Sequence, residues 1–271
     1  LTQVTDMSGT FAWTTNFNSD ISKWDTSNVT NMYRTFQNAR NFNQPLNSWN
    51  TSRVTTMALM FDNARNFNQP LHKWNTSNVT DMRHMFFNAT NFNQPLNTWD
   101  TSRVTAMQSM FRGTVFNQPI GNWNTSNVTD MNHMFCGATE FNQPIGNWDT
   151  SNVTNMDGMF RNCVDDIAPI GVNYAFNQPI GDWNTKSVTS LRNMFQGAIN
   201  FNQNINNWNV SSVTHMREMF RDAIVFNQPL DNWDTSNVQV MLSMFQGAVN
   251  FNQNINKWNI SQVTTLKGMF M

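Results

Sequence analysis

The side chains able to do chemistry are few, and they recur with the chain's own rhythm. The four histidines are His72, His84, His133 and His215. Only His84 and His133 hold the same place in the surrounding phrase, and two repeats at about 4.8 Å each would part them by about 10 Å, too far to share a metal ion. Asp or Asn follows the recurring Trp (Asp25, Asn50, Asn75, Asp100). A position that accepts either suits an Asx turn and not acid–base work. Asp165 and Asp166 stand together, but calcium takes six to eight oxygens and two carboxylates fall short. The 19 methionines form two columns, Met32, Met57, Met82, Met107 and Met60, Met85, Met110, Met134. Leu191 and Leu266 replace Met in the first without breaking the pattern, which is how packing residues behave. No catalytic constellation, metal site or cofactor is expected, and the chain is not expected to be an enzyme.

Cys136 directly follows Phe135, whereas Cys163 stands three places after Phe160. On a straight ladder that two-place offset, added to one step of about 4.8 Å, strains the Cα separation a disulfide allows. Free thiols are therefore expected, with Cys163 as a small buried residue in the column of Ala39, Ala64, Ala89 and Ala138. The redox compartment stays open.

What positions these groups is a repeat. Trp24, Trp49, Trp74, Trp99, Trp123, Trp148, Trp183, Trp208, Trp233 and Trp258 follow one another in steps of 25, except one step of 24 and one of 35. Such a period marks a solenoid, in which one unit buries its apolar face only by stacking on the next. We expect residues 1–271 to form a single array of ten to eleven coils of 25 residues. Within a coil, Val29, Met32, Phe36 and Ala39 predict short helical or 3-10 turns, with a left-handed end at Asn38, Gly137, Gly197 and Gly247. Pro45 lacks an N–H for a ladder, so the strand is expected to follow it, over about residues 46–51. The invariant Trp column is expected inside, with each indole N–H on a backbone acceptor.

A further column is Asn in every repeat: Asn18, Asn43, Asn68, Asn93, Asn117, Asn142, Asn177, Asn202, Asn227 and Asn252. An amide both donates and accepts, so this stack reads as a ladder, with Asn93 and Asn142 buried. The Gln that follows is expected to play a related, more exposed part. The Thr rows (Thr26, Thr51, Thr76 and Thr30, Thr55, Thr80) could in principle match a water lattice, yet Val210, Ile260 and Gln239 interrupt them. Hydrogen bonds to turns are the simpler account. Asn28-Val29-Thr30 and Asn50-Thr51-Ser52 match glycosylation acceptors that the repeat generates in any host.

The phrase Val128-Thr129-Asp130-Met131, with Met134-Phe135, Ala138, Phe141-Asn142, Ile145 and Trp148-Asp149-Thr150-Ser151, resembles the bacterial surface protein repeat of about 25 residues found in mycoplasma-type lipoproteins. It is also similar to BspA-like leucine-rich repeats. The resemblance covers nearly the whole chain. It implies a leucine-rich-repeat-like, right-handed solenoid with short parallel strands on one side and short helical or 3-10 turns on the other. It also implies cell-surface or extracellular display and a link to adhesion. Trp stands where standard leucine-rich repeats carry short apolar strand residues.

A formal charge of −1 and only 12% charged residues leave no basic footprint for nucleic acid. No run reaches the roughly 18 apolar residues of a membrane span. The chain opens and stops inside a repeat with no signal peptide or lipidation motif, so we expect a piece of a longer protein whose anchor lies elsewhere. Variation concentrates in two columns: Arg34, Leu59, His84, Ser109, His133, Glu218, and, before the Trp, Lys23, Ser48, Lys73, Thr98. The long step inserts ten residues over 165–174, a place where binding is often added, with the ring of Tyr174 packed and its hydroxyl wet. Arg34, Lys73, His84, His133, Asp165, Asp166 and Tyr174 are the candidate binding residues. The expected function is non-catalytic binding or adhesion toward a protein or glycan on another cell or matrix. The alternative is a structural stalk, fibre or shell that stacks with sibling subunits.

Overall fold

In the computed structural model, which describes residues 3–163 and 174–271, each repeat makes one turn of a stacked coil. Parallel bridges join Asp6, Asn31, Thr56, Asp81, Ala106, Asp130, Asn155, Ser190, His215, Val240 and Thr265 in succession. We number coils 1 to 11 by these residues. The bridge falls between the exposed Thr and the buried Met of each repeat, and not at residues 46–51, where the coil instead makes a turn closed by Trp49 N–H on Leu46 O at 3.0 Å. Proline lacks the donor a ladder needs there, and side chains take over the bridging.

The expected helical turn is also replaced. From Met32 to Ala39 alternate N–H groups do different things: Met32, Arg34, Phe36 and Asn38 donate across to Thr56, Ala58, Met60 and Asp62 of the next coil, at 2.7–3.1 Å. Thr35, Gln37 and Ala39 donate three residues back within their own coil. A helix would spend every N–H on itself and leave none for a neighbour. The result is a chain of fused β-turns with left-handed residues at Arg34 (φ 57°) and Asn38 (φ 59°), each at the third place of a turn, where a positive φ defines type II. Gly137, Gly197 and Gly247 share the second of these positions with φ of 68°, 69° and 71°, as expected from the sequence.

The core lies inside the coil. Val29, Met32, Phe36, Ala39, Phe42 and Leu46 are fully buried, as are their apolar equivalents through the middle coils, while several of those in the first and last coils are partly exposed, Leu266 and Phe270 among them. Two phenylalanine columns run through it: Phe36 stacks on Phe42 at 4.1 Å within its coil and on Phe61 at 5.5 Å in the next. Fully burying one such ring is worth about 1.5–3 kcal/mol, which is why a coil needs neighbours on both sides. From Trp49 to Trp258 the Trp column is buried as expected, and each of these indole N–H groups reaches a carbonyl of the preceding coil, as in Trp123 to Leu96 at 3.1 Å; Trp24, at the first step of the column, is half-buried.

On the arc from Asn43 to Asn50 side chains replace backbone as the rungs. Asn68 Oδ1 accepts both the Asn93 N–H at 3.0 Å and the Gln94 amide at 3.1 Å, and the pattern repeats from Asn18 to Asn252. Asn93 and Asn142 are half-buried, not buried: one side of the amide faces the next coil and the other faces water. Gln94 and Gln143 are half-buried like them. The first Thr row is buried and donates to the next coil (Thr51 to Asn75 O, 2.9 Å). The second is largely exposed and donates to the previous one (Thr55 to Thr30 O, 3.2 Å).

Candidate binding groove

The repeat breaks at coils 5 to 7, and the breaks meet on the fused-turn wall. From Phe36 to Phe42, and from Phe61 to Phe67, the chain takes six steps; from Phe111 to Phe116 it takes five. The missing residue is the one whose N–H crosses to the preceding coil in coils 2 to 4, as Asn66 does to Arg40 O and Asn91 to Arg65 O. Coil 5 therefore lacks a rung. Thr114, standing where other coils have Ala, repairs the inside of the turn: its hydroxyl donates to Phe111 O at 2.8 Å and accepts the Phe116 N–H at 3.3 Å. Outside, an open groove remains between Thr90 of coil 4 and Thr139 of coil 6, floored by Gly113 and Gly137 and edged by Phe87, Arg112 and Val115.

Cys136 and Cys163 close one side of this groove as a disulfide, with Cα atoms 5.3 Å apart. This overturns the expectation of free thiols. The straight-ladder estimate fails because the chain doubles back through the left-handed Gly137, whose added Cβ would lie 3.6 Å from Cys163 Cβ. After Phe160 the usual turn does not form, so Cys163 leaves the Ala column and sits half-buried beside Cys136 of the coil before.

Tyr174 likewise departs from expectation. It is completely buried, and its hydroxyl donates to Phe135 O at 2.6 Å, while burial raises its pKa well above the ordinary value. It anchors the chain behind the insertion and offers nothing to a ligand. Asp165 and Asp166 lie outside the described residues.

Arg34, His84 and His133 share one row of the fused-turn wall, all at positive φ (57°, 54° and 53°). Arg34 is exposed, its guanidinium 4.8 Å above the Tyr33 ring. The two histidines are half-buried. Burial lowers the pKa of His84 against the pull of Asp62; burial, Arg112 and Arg161 lower that of His133. Lys73 is exposed beside the Trp arc, away from this row, its N–H held by Asn47 Oδ1. Asp62 is 7% exposed; burial raises its pKa although its carboxylate accepts from Gln37 and Asn63, both at 2.7 Å. Among the described residues no three His, Cys, Asp or Glu side chains gather as metal ligands.

Arg112, Phe87, Val115 and the cysteine pair are groove residues that column reading did not single out. The short step of 24 and two cysteines in successive repeats were the signals that could have found them.

Stacked, nearly identical coils with an open groove where one rung is missing define a repeat protein. The chain belongs to the family described as Mycoplasma protein of unknown function, DUF285, which matches it over residues 1–97, 67–171 and 168–271. No curated protein matches it. Among the described residues, no helix is long and apolar enough to cross a membrane.

Proposed function

We propose that the chain is a non-catalytic binding or adhesion module displayed at a cell surface or in the extracellular space. The observation that carries this reading is the groove. A missing residue in coil 5 and a disulfide to coil 7 meet at one place in an otherwise uniform array, and the flanking coils hold it open. Irregular segments positioned by a rigid scaffold are where binding residues concentrate. The disulfide supports extracellular display, because such bonds persist in oxidising compartments and are rare in reducing ones. The coil itself we read as right-handed and akin to BspA-like leucine-rich repeats, the hand that parallel crossovers take.

The test is capture of intact cells or extracellular matrix by the immobilised chain. Wild type should retain them, and shortening the insertion within residues 165–173, with the buried Tyr174 kept as anchor, should weaken retention while the melting curve stays intact. If wild type captures no more than a blocked surface, the binding reading falls. Surface biotinylation of intact source cells should label the protein; labelling only after lysis would remove the extracellular assignment.

A further inference from the structure

The fused-turn wall of coils 2 to 7 carries a charge the chain as a whole does not have. Across residues 34–41, 59–66, 84–91, 109–115, 133–140 and 158–163 it holds Arg34, Arg40, Arg65, Arg112 and Arg161 against Asp62 and Glu140. Five positive charges against two negative leave a surplus of three, in a chain of formal net charge −1. The cations here are all arginine, and the five lysines lie in other columns or coils. Arginine's planar fork matches a carboxylate or sulfate better than an ammonium does.

Several charges elsewhere are paired within the fold. Arg83 meets Asp81 at 3.2 Å, and Glu218 is held by Arg217 at 3.0 Å and Arg221 at 3.2 Å. Asp157 beside the wall accepts from Ser190 and from the Arg192 N–H at 2.8 Å. Arg161 is in none of these pairs, and its Nε, like that of Arg221, is buried with no hydrogen-bond partner. Arg112 and Arg161 each follow the Phe of their coil directly and stand two coils apart, about 10 Å at ladder spacing; Arg40 and Arg65 lie three places further along the same wall in coils 2 and 3, and Arg112 lies over the Phe87 ring at 5.2 Å.

The backbone of the groove floor is spent. Gly113 N–H goes to Cys136 O at 2.8 Å, Gly137 N–H to Arg161 O at 2.8 Å and Asn88 N–H to Arg112 O at 2.7 Å. The N–H groups of the floor are thus closed to strand addition by an extended peptide. Nucleic acid fits poorly as well. Its charges fall every 3.4 Å along a strand, far denser than these arginines, and single strands favour a series of stacking aromatics, of which the groove has only Phe87.

We propose that this wall binds an acidic polysaccharide, with widely spaced carboxylate or sulfate groups meeting Arg65, Arg112 and Arg161 and a sugar face resting in the groove against Phe87 and Val115. This rests on the binding-module reading and names its ligand class. The test uses the full chain with immobilised polygalacturonate, heparin, neutral dextran and single-stranded DNA at low and high salt. Wild type should be retained on at least one acidic polysaccharide, released by salt, and pass through dextran. R112Q/R161Q should bind at least tenfold more weakly, as should R40Q/R65Q, whose sites are exposed and leave folding undisturbed, while K186Q on another wall binds as wild type. Matching Trp fluorescence melts exclude misfolding. Equal retention of wild type and both double variants, retention on dextran, or tighter binding to DNA than to either acidic polysaccharide would overturn the proposal. So would failure to bind any of the four matrices; continued capture of cells in that case would leave the binding-module reading standing without this ligand.

Discussion

Asn142 shows what a single side chain does in this array. Its Oδ1 accepts the Asn177 N–H and the Gln178 amide, both at 3.0 Å, so removing it leaves the Asn177 N–H without a partner and the Gln178 amide with only the backbone Asn142 O. Asn142→Ala should cost about 1–2 kcal/mol in urea or thermal unfolding, since the site is half-buried and water can compensate in part. Asn252 supplies the control: its N–H uses Asn227 Oδ1, but no described coil follows to use its own amide oxygen. Asn252→Ala should therefore be close to neutral. Aspartates in the Asx column make a second case. Hydroxyl and N–H donation from Ser151 to Asp149, and from Ser27, Ser102 and Ser236 to Asp25, Asp100 and Asp234, holds these carboxyls below the ordinary 3.8. A folded-state pKa below the unfolded one contributes stability above about pH 4 that is lost as pH falls through the folded value. Asp62, raised by burial, has the opposite sign. Asp149→Asn keeps the acceptor and removes the titration, so its melting temperature should match wild type at pH 7 and exceed it at pH 3.

The fused turns explain why the wall tolerates such varied letters at Arg34, Leu59, His84, Ser109 and His133. All are left-handed, with φ of 53–57°, a conformation that costs an ordinary residue roughly 1–2 kcal/mol. Their N–H bonds to the next coil hold them there, as Arg34 to Ala58 O at 3.0 Å. At the companion position, held by Asn38, Asn63 and Asn88 in coils 2 to 4, Gly113 has φ 69°, and an added Cβ would run into Asn88 Oδ1. Gly113→Ala should destabilise by about 1–2 kcal/mol or more on melting. The Cys136–Cys163 bond closes a loop with a sequence separation of 27, worth about 3–4 kcal/mol in the chain-entropy picture. Dithiothreitol should lower the unfolding midpoint of wild type and leave C136S/C163S unmoved.

Across the whole molecule, contacts run from each coil to its neighbours, as the succession of bridges and Phe stacks shows. Stability should then be close to a sum of coil and interface contributions. Excising residues 67–91, one complete period, joins Asn66 to Phe92 in register and should leave a folded array with a denaturant m-value lower by roughly a tenth. Excising residues 67–78, half a period, sets polar letters against the Phe and Trp columns and should abolish the cooperative melt. Circular dichroism with urea titration reads both.

The repeat, its period and its buried columns were legible in the chain alone. A residue type that returns every 25 places can only be explained by a position that returns, and Val, Met, Phe and Trp in such positions must be inside. The asparagine ladder followed from the same logic, because an amide that never varies has to satisfy a backbone that never varies. Periodicity could not tell helix from fused turns, since both bring every third or fourth side chain to the same face. The difference lies in whether N–H groups bond within a coil or across to the next, and that is decided only when coils stack. Stacking also decided the cysteine pair and the fate of Tyr174. A left-handed glycine turned one chain back on its neighbour, and the packing behind the insertion closed over a tyrosine hydroxyl that the linear order had left in water.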